Sequence, residues 1–409
     1  MTYPIRPIDE PEWPAFSRVN EEAFGWTPHP KQVERFKAQT EFDRTLAAFD
    51  GEQIVGVTGV FSLTMTVPGG QLPVAGVTAV SVLASHRRRG VLSSLMRRQL
   101  ADIRERGESV AALYASEALI YGRYGYGRAA GELSFTIDSH RSAFVPGAPQ
   151  DPALRLRVAK PADVRGELEK VFATVVTRRP GQYERVEQTW TAVLADEEYD
   201  QHGAGSLRSV LAEDDGGVRG YALFRIKSSW DEAGVPNGTL KLHELEATDP
   251  AAYALLWRSV LDRDLVTKVE AGGRPMDDPL LALIADQRQL RPRWSDELWV
   301  RLVEVDRALT GRSYAAPVDT VIEVEDDVCP WNARRWRLTA DLTGAECKPV
   351  EEEPDVTLPV AALGSAYLGD GTLGERLDAG LLREHSAGAV RKLATAMSWS
   401  PKPWAGLTF

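Results

Sequence analysis

The 409-residue chain has two cysteines and six histidines, and neither type is spaced for metal or redox chemistry. Cys329 and Cys347 form no CxxC pair. This excludes a disulfide framework or a zinc ribbon and fits a reducing compartment, so a cytoplasmic protein is expected. The histidines are scattered without ligand spacing, and no metal is expected. No apolar run approaches the length of a bilayer crossing, so no membrane span is expected. The segment Met1–Glu10 carries Pro4, Pro7, Asp9 and Glu10, a composition unlike a signal peptide. Positive charge is in deficit: the formal net charge is −11 and the pI ≈ 5.3. That balance argues against nucleic acid as a partner and favours a cationic small substrate. What is present is ordinary for a globular protein, with 43% hydrophobic and 26% charged residues. The length suits two or three domains.

The most informative stretch is Val77–Gly107, centred on His86-Arg87-Arg88-Arg89-Gly90-Val91-Leu92. A β-like run, Val77–Leu83, leads into three arginines and a glycine, and a helical pattern starts at once. Leu92, Leu95, Met96, Leu100 and Ile103 form one apolar face. Arg104 and Arg106 stand in its last turn and Gly107 at the C′ position. A helix N-terminus offers free N–H groups and a positive dipole end. A glycine there lets phosphate approach the backbone, and arginines add charge-assisted contacts. The segment therefore reads as a pyrophosphate site, without the pattern of a dinucleotide fold or a P-loop.

Around it, Asp9–Phe24 has helical spacing, and Leu46–Phe49 with Ile54–Val60 flank an Asp50-Gly51 hairpin turn. Pro68-Gly69-Gly70 marks a second turn, Val110–Tyr114 a strand, Tyr121–Gly127 a glycine-punctuated segment and Leu133–Ile137 another strand. Ser142–Pro152 reads as a linker. The pattern then recurs: a helix over Pro161–Val175, a hairpin over Ser209–Ile226, a strand over Leu240–Glu246 and a helix over Ala251–Leu261. The loop between the last two is Ala247-Thr248-Asp249-Pro250, with an aspartate where phosphate would sit. This second unit is read as a degenerate copy that keeps the fold and lacks the site. From about residue 293 an α+β pattern follows, with strands Leu298–Val305, Val321–Glu325, Trp336–Ala340 and Val356–Leu358 and helices near Val360–Tyr367 and Ala387–Met397. The sequence ends Pro403-Trp404-Ala405-Gly406-Leu407-Thr408-Phe409, apolar and aromatic where ends are commonly polar.

The order of elements in the first 140 residues resembles the GNAT acetyltransferase superfamily. Arg87-x-x-Gly90-x-Leu92 is a variant of its Q/R-x-x-G-x-G/A loop, and Ile120-Tyr121-Gly122-Arg123-Tyr124-Gly125-Tyr126 is similar to its Y-x-x-x-G-F/Y segment. The whole chain resembles the enhanced intracellular survival (Eis) family of N-acetyltransferases. The resemblance implies a mixed α+β architecture: a catalytic GNAT domain (1–150), a degenerate GNAT-like domain (151–292) and a sterol-carrier-like domain (293–409). It implies acetyl-CoA as co-substrate, with Val80 and Val82 offering backbone to the pantetheine arm. Arg87, Arg88, Gly90, Val91 and Leu92 would hold the pyrophosphate, and Ser116 would lie near the thioester. It implies Tyr121 as general acid, the Phe409 carboxylate as general base, and a homohexamer.

The chemistry agrees with these roles. Amine acetylation needs a neutral amine, a stabilised oxyanion and a protonated leaving thiol. A substrate ammonium, pKa ~10.4, must lose its proton, and a carboxylate desolvated by the tail around Trp404 and Leu407 is a stronger base than one in water. A phenol of pKa ~10 is matched to a departing thiolate, and a backbone N–H near Val82 suits the oxyanion. From the residues alone, Tyr124 and Tyr126 rival Tyr121. Phe24, Trp26 and Trp404 are candidates for an amine pocket, with core packing as the alternative. Family members that modify aminoglycosides carry acids where this chain has Trp26 and Thr408. The expected reaction is thus N-acetylation of an aminoglycoside, polyamine or lysine-type amine. The alternatives are a non-catalytic acyl-CoA or lipid-binding scaffold and an enzyme restricted to protein lysines.

Overall fold

Tight turns organise the first sheet. In the computed structural model, which describes residues 3–409, β1 (Ile5–Arg6) is followed by α1 (Trp13–Phe24) and α2 (Pro30–Gln39). The helical spacing read over Asp9–Phe24 begins with a 3-10 turn, Glu10–Glu12, before α1, whose Trp13, Phe16 and Val19 are buried. Next come β2 (Leu46–Asp50), β3 (Gln53–Val67) and β4 (Gly70–Val82). The two turns between these strands are closed by Gly51 and Gly69 in the left-handed region, at φ +60° and +80°. Then follow α3 (Val91–Glu105), β5 (Val110–Tyr114), α4 (Ala118–Tyr121) and β6 (Gly127–Arg128). The apolar face read from the sequence on α3 is its buried face: Leu95, Met96, Leu100 and Ile103 are at most 1% exposed.

The chain forms two compact units. The second comprises Gly131–Arg179 and Arg185–Asp296. It holds β7 (Gly131–Asp138), β8 (Arg155–Ala159), α5 (Arg165–Val175), α6 (Glu187–Val193), β9 (Arg208–Asp214), β10 (Gly217–Lys227) and β11 (Gly238–Ala247). These are followed by α7 (Pro250–Leu261), β12 (Val266–Pro275), α8 (Leu280–Leu283) and β13 (Arg293–Asp296). Its sheet runs β13-β7-β12-β11-β10-β9-β8. The β11–β12 pair is parallel, and the pairs on either side, β10–β11 and β12–β7, are antiparallel. Trp257 on α7 and Phe224 on β10 lie in its core.

The first unit gathers the described part of Met1–Ala130 with Pro180–Glu184 and Glu297–Phe409. Its additional elements are β14 (Leu298–Leu302), α9 (Val305–Thr310), β15 (Val318–Glu325), β16 (Arg335–Ala340), β17 (Ala345–Pro349) and β18 (Val356–Pro359), followed by α10 (Val360–Ala366), α11 (Leu373–Asp378), β19 (Arg383–Glu384) and α12 (Ala389–Met397). The strand expected over Leu298–Val305 ends at Leu302, and Val305 opens α9 instead. Two sheets result, β1-β2-β3-β4-β5-β14-β6 and β17-β16-β15-β18-β19. The first holds a strand from the far side of the second unit's sequence: β14 lies between β5 and β6. Pro180–Glu184 adds backbone hydrogen bonds along the end of β3, from Thr66 N to Gln182 O (2.7 Å) and from Gly181 N to Thr66 O (2.8 Å).

Candidate active site

The site starts from a ladder that stops. β4 and β5 are parallel neighbours, yet only Ala75↔Ala111 and Gly76↔Ala112 pair. Beyond Gly76, β4 keeps its bonds to β3, as far as Gly56↔Val82, and among the described residues has no strand on its other edge. A bulge at Val57/Gly59, with Ala79 at φ +52°, bends β4 at this point. Val80 and Val82 thus present backbone groups along an open edge, a place for a chain of amides to lie as an extra strand.

Past β4, the backbone turns twice into the left-handed region, at Arg88 (φ +61°) and Gly90 (φ +84°). Gly90 caps α3 without a side chain, so the first-turn N–H groups of the helix remain available. Such a concavity of N–H groups at a positive dipole end is an anion site. The exposed guanidinium groups of Arg87, Arg88 and Arg89 have no ion-pair or hydrogen-bond partner among the described residues. His86 braces the loop from beneath, with Nε2 3.1 Å from Asp50 Oδ2 and Nδ1 2.9 Å from Ser85 Oγ.

Open edge and loop border one cleft of about 690 Å³. Val80, Val82, Arg87, Arg88, Gly90, Val91, Leu92, Ser116 and Tyr121 all line it. Sequence reasoning passed over Ser81, Ser93, Glu117 and Arg123, which line it too. Ser81 and Ser93 stand beside the motifs, whereas Glu117 and Arg123 lie within segments that carry the family resemblance, without a role assigned to them. Tyr121 ends α4 and is 4% exposed. Burial pushes its phenol pKa up, partly offset by a hydrogen bond with Ser116. Of its two rivals, Tyr124 also lines the cleft and its hydroxyl lies 3.1 Å from Ser93 Oγ. Tyr126 is fully buried behind Tyr121, does not line the cleft and has no partner for its hydroxyl among the described residues.

The remaining candidates are dispersed. Phe24 lines the cleft and is half-exposed. Trp26 is half-exposed and does not line it. Trp404 is buried, and its backbone N–H donates to Pro180 O at 2.8 Å. The Phe409 ring lies between Tyr114 and Tyr183, with centroids 5.0 and 5.5 Å away. Its Cε2 is 3.1 Å from where a Cβ on Gly76 would stand, at the last residue of β4 that pairs with β5. Phe409 thus reaches the fork of the two strands without lining the cleft itself.

Models of the acetyltransferase (GNAT) domain match residues 4–129 and 181–302, and a sterol carrier protein domain matches 305–406. An uncharacterized N-acetyltransferase of Streptomyces avermitilis is 44% identical over 99% of both chains. The N-acetyltransferase Eis of Mycobacterium tuberculosis is 30% identical over 97% of both. The crystal structure of Eis1 from Mycobacterium abscessus superposes with a TM-score of 0.85 at 34% identity, covering 99% of this chain and 100% of that one. The chain belongs to the Eis family of N-acetyltransferases. Its GNAT fold implies acetyl-CoA as the acyl donor, and the open β4 edge, the left-handed loop and the unpaired arginines fit that molecule's amides and pyrophosphate.

The degenerate GNAT domain of this Eis-family chain supplies an internal control. At the corresponding turn, Asp249 caps α7, accepting from Ala251 N and Ala252 N at 3.0 Å each. Arg219 Nε bonds its other oxygen at 2.8 Å. A carboxylate of the protein occupies the place that an anionic ligand would take, so the second helix N-terminus is closed.

Proposed function

We propose that the enzyme acetylates a primary amine, of aminoglycoside, polyamine or lysine type, by direct transfer, with Tyr121 as general acid and the Phe409 carboxylate as general base. One observation carries the reading: a single cleft collects Tyr121, Ser116 and every residue expected at the coenzyme arm and pyrophosphate. When bound, acetyl-CoA supplies an activated acyl carbon. Val80 and Val82 align its arm, and Arg87, Arg88 and the first turn of α3 neutralise its phosphates. Tyr121 holds a proton at Oη for the departing sulfur. The Phe409 carboxylate attracts the ammonium and takes its proton, directly or through water.

Trp26 and Thr408 stand where family members that modify aminoglycosides carry acids, which supports an acceptor of low charge over a polycationic sugar. The family resemblance also supports a homohexamer in the cytoplasm, organised as a catalytic domain 1–150, a degenerate domain 151–292 and a sterol-carrier-like domain 293–409. The test is acetyl-CoA consumption over aminoglycosides, polyamines and lysine peptides, run on the full chain and on a chain lacking Phe409. The shortened chain is expected to bind CoA normally and lose turnover by 100-fold or more, roughly the value of a positioned base. Full activity without Phe409 overturns the carboxylate role. No consumption with any amine favours the scaffold reading, and consumption with peptides alone favours the protein-lysine one.

A further inference from the structure

Residues 404–407 are each held by a hydrogen bond. Ala405 N lies 3.2 and 3.1 Å from the two carboxylate oxygens of Glu297, and Gly406 N donates to Oε1 at 2.9 Å. The hydroxyls of Tyr114 and Tyr183 both donate to Leu407 O, at 2.6 and 2.8 Å, so two donors converge on one carbonyl oxygen. The same two rings take the Phe409 ring edge-on, at interplanar angles of 70° and 77°. Gly406 makes the bend at φ +76°, where a Cβ would lie 2.8 Å from the Trp404 ring.

The three holding side chains come from distant parts of the sequence and are themselves rigidly placed. Tyr114 ends β5 and pairs with Leu298, the first residue of β14, so Glu297 stands one residue from that rung. Tyr183 sits on the short segment bonded along β3 and bridges Met65. Glu297 is 6% exposed. Burying a carboxylate merely to tie down a tail is costly, and apolar contact alone would anchor one. What charge-assisted bonds add is direction.

We infer that Glu297, Tyr114 and Tyr183 are positioning residues that aim residues 405–409 at the fork of β4 and β5 and thereby set the rate of acetyl transfer. This rests on the reading of Phe409 as the base, because the clamp acts through that residue. Proton transfer depends steeply on geometry, and misplacement by about 1 Å costs on the order of 100-fold in rate.

The test combines amide hydrogen exchange of residues 404–409 with steady-state kinetics on the full chain. Tyr114→Phe/Tyr183→Phe keeps both rings and removes both hydroxyls. Exchange in the tail is expected to rise about tenfold or more and kcat to fall about tenfold or more, with the acetyl-CoA KM within about twofold. Glu297→Ala is expected to act likewise, and Glu297→Gln, which keeps an acceptor oxygen, to recover part of the kcat. Unchanged exchange in these variants overturns the clamp. Faster exchange with unchanged kcat overturns its link to turnover, and so does a kcat loss matched by an equal rise in acetyl-CoA KM. The chain lacking Phe409 separates the two ideas. If it is inactive while the clamp variants keep their kcat, the clamp fails and the base stands. If it is fully active, the base fails, and tail exchange still decides whether the clamp exists.

Discussion

The hydroxyl of Tyr121 is kept as a hydroxyl by its surroundings. Burial disfavours the phenolate, and the nearby Glu117 and Tyr124 act in the same direction, whereas Ser116 opposes them. A general acid must carry its proton at the working pH, and a phenol shifted above its usual value of about 10 does so through neutral and mildly alkaline solution. Tyr121→Phe is therefore expected to lower kcat by about 100-fold or more while leaving the acetyl-CoA KM within about threefold, as read from initial rates over a donor titration. In the unsubstituted enzyme, any alkaline fall in kcat due to this group is expected only above about pH 10. A fall near pH 8 that Tyr121→Phe abolishes would reverse the assignment of the shift. Tyr124 is the informative control, because it lines the same cleft with its hydroxyl already engaged by Ser93.

Two helices, α3 and α7, each follow a strand and end their first turn differently. At α3 the cap is Gly90 with three unpaired arginines beside it, and at α7 it is Asp249 tied to Arg219. Arg88→Ala is expected to raise the acetyl-CoA KM about tenfold with kcat nearly unchanged, because a phosphate contact is the same before and after acyl transfer. Asp249→Ala is expected to leave that KM alone and destabilise the fold by about 1 kcal/mol, the usual value of a helix cap, measured by thermal melting. The Asp249 carboxyl is held below its usual range: burial raises it, but the Arg219 and Ala252 bonds prevail. Its contribution is therefore full at neutral pH and lost as pH falls through the acid range. Both helices and their contrasting caps were legible in the sequence, since local periodicity and a charged or glycine cap are written in adjacent residues. Strand partners were not. Nothing in the alternation of Leu298–Leu302 says that it pairs with Val110–Tyr114, because a half-buried strand carries its face but not its neighbour's address. For the same reason Glu297 and Tyr183 could not be read as neighbours of the last residues. Trp26 shows the converse, since an aromatic close to a motif is not thereby in the cleft.

At the scale of the molecule, the second unit carries a cost of its own that depends on pH. Burial and the neighbouring Glu244 push the Glu246 carboxyl up to about 7, against the pull of Arg274, Arg185 and Arg179. With the folded value above the usual 4.5, folding favours the protonated form, and this contribution is lost as pH rises through about 7. Glu246→Gln, which imitates that form, is expected to raise the melting temperature at about pH 8 and to change it little at about pH 5. An equal change at both values would remove the titration from the account. The first unit has another economy. On the proposed placement of acetyl-CoA, its open strand edge and its arginine–glycine loop would hold the part of the coenzyme that the reaction leaves unaltered. Acetylated donor and spent thiol therefore compete for one seat on nearly equal terms. An enzyme built this way responds less to the amount of acetyl-CoA in its surroundings than to the proportion of the coenzyme pool that is acetylated, and it slows as that proportion falls even when its amine is abundant.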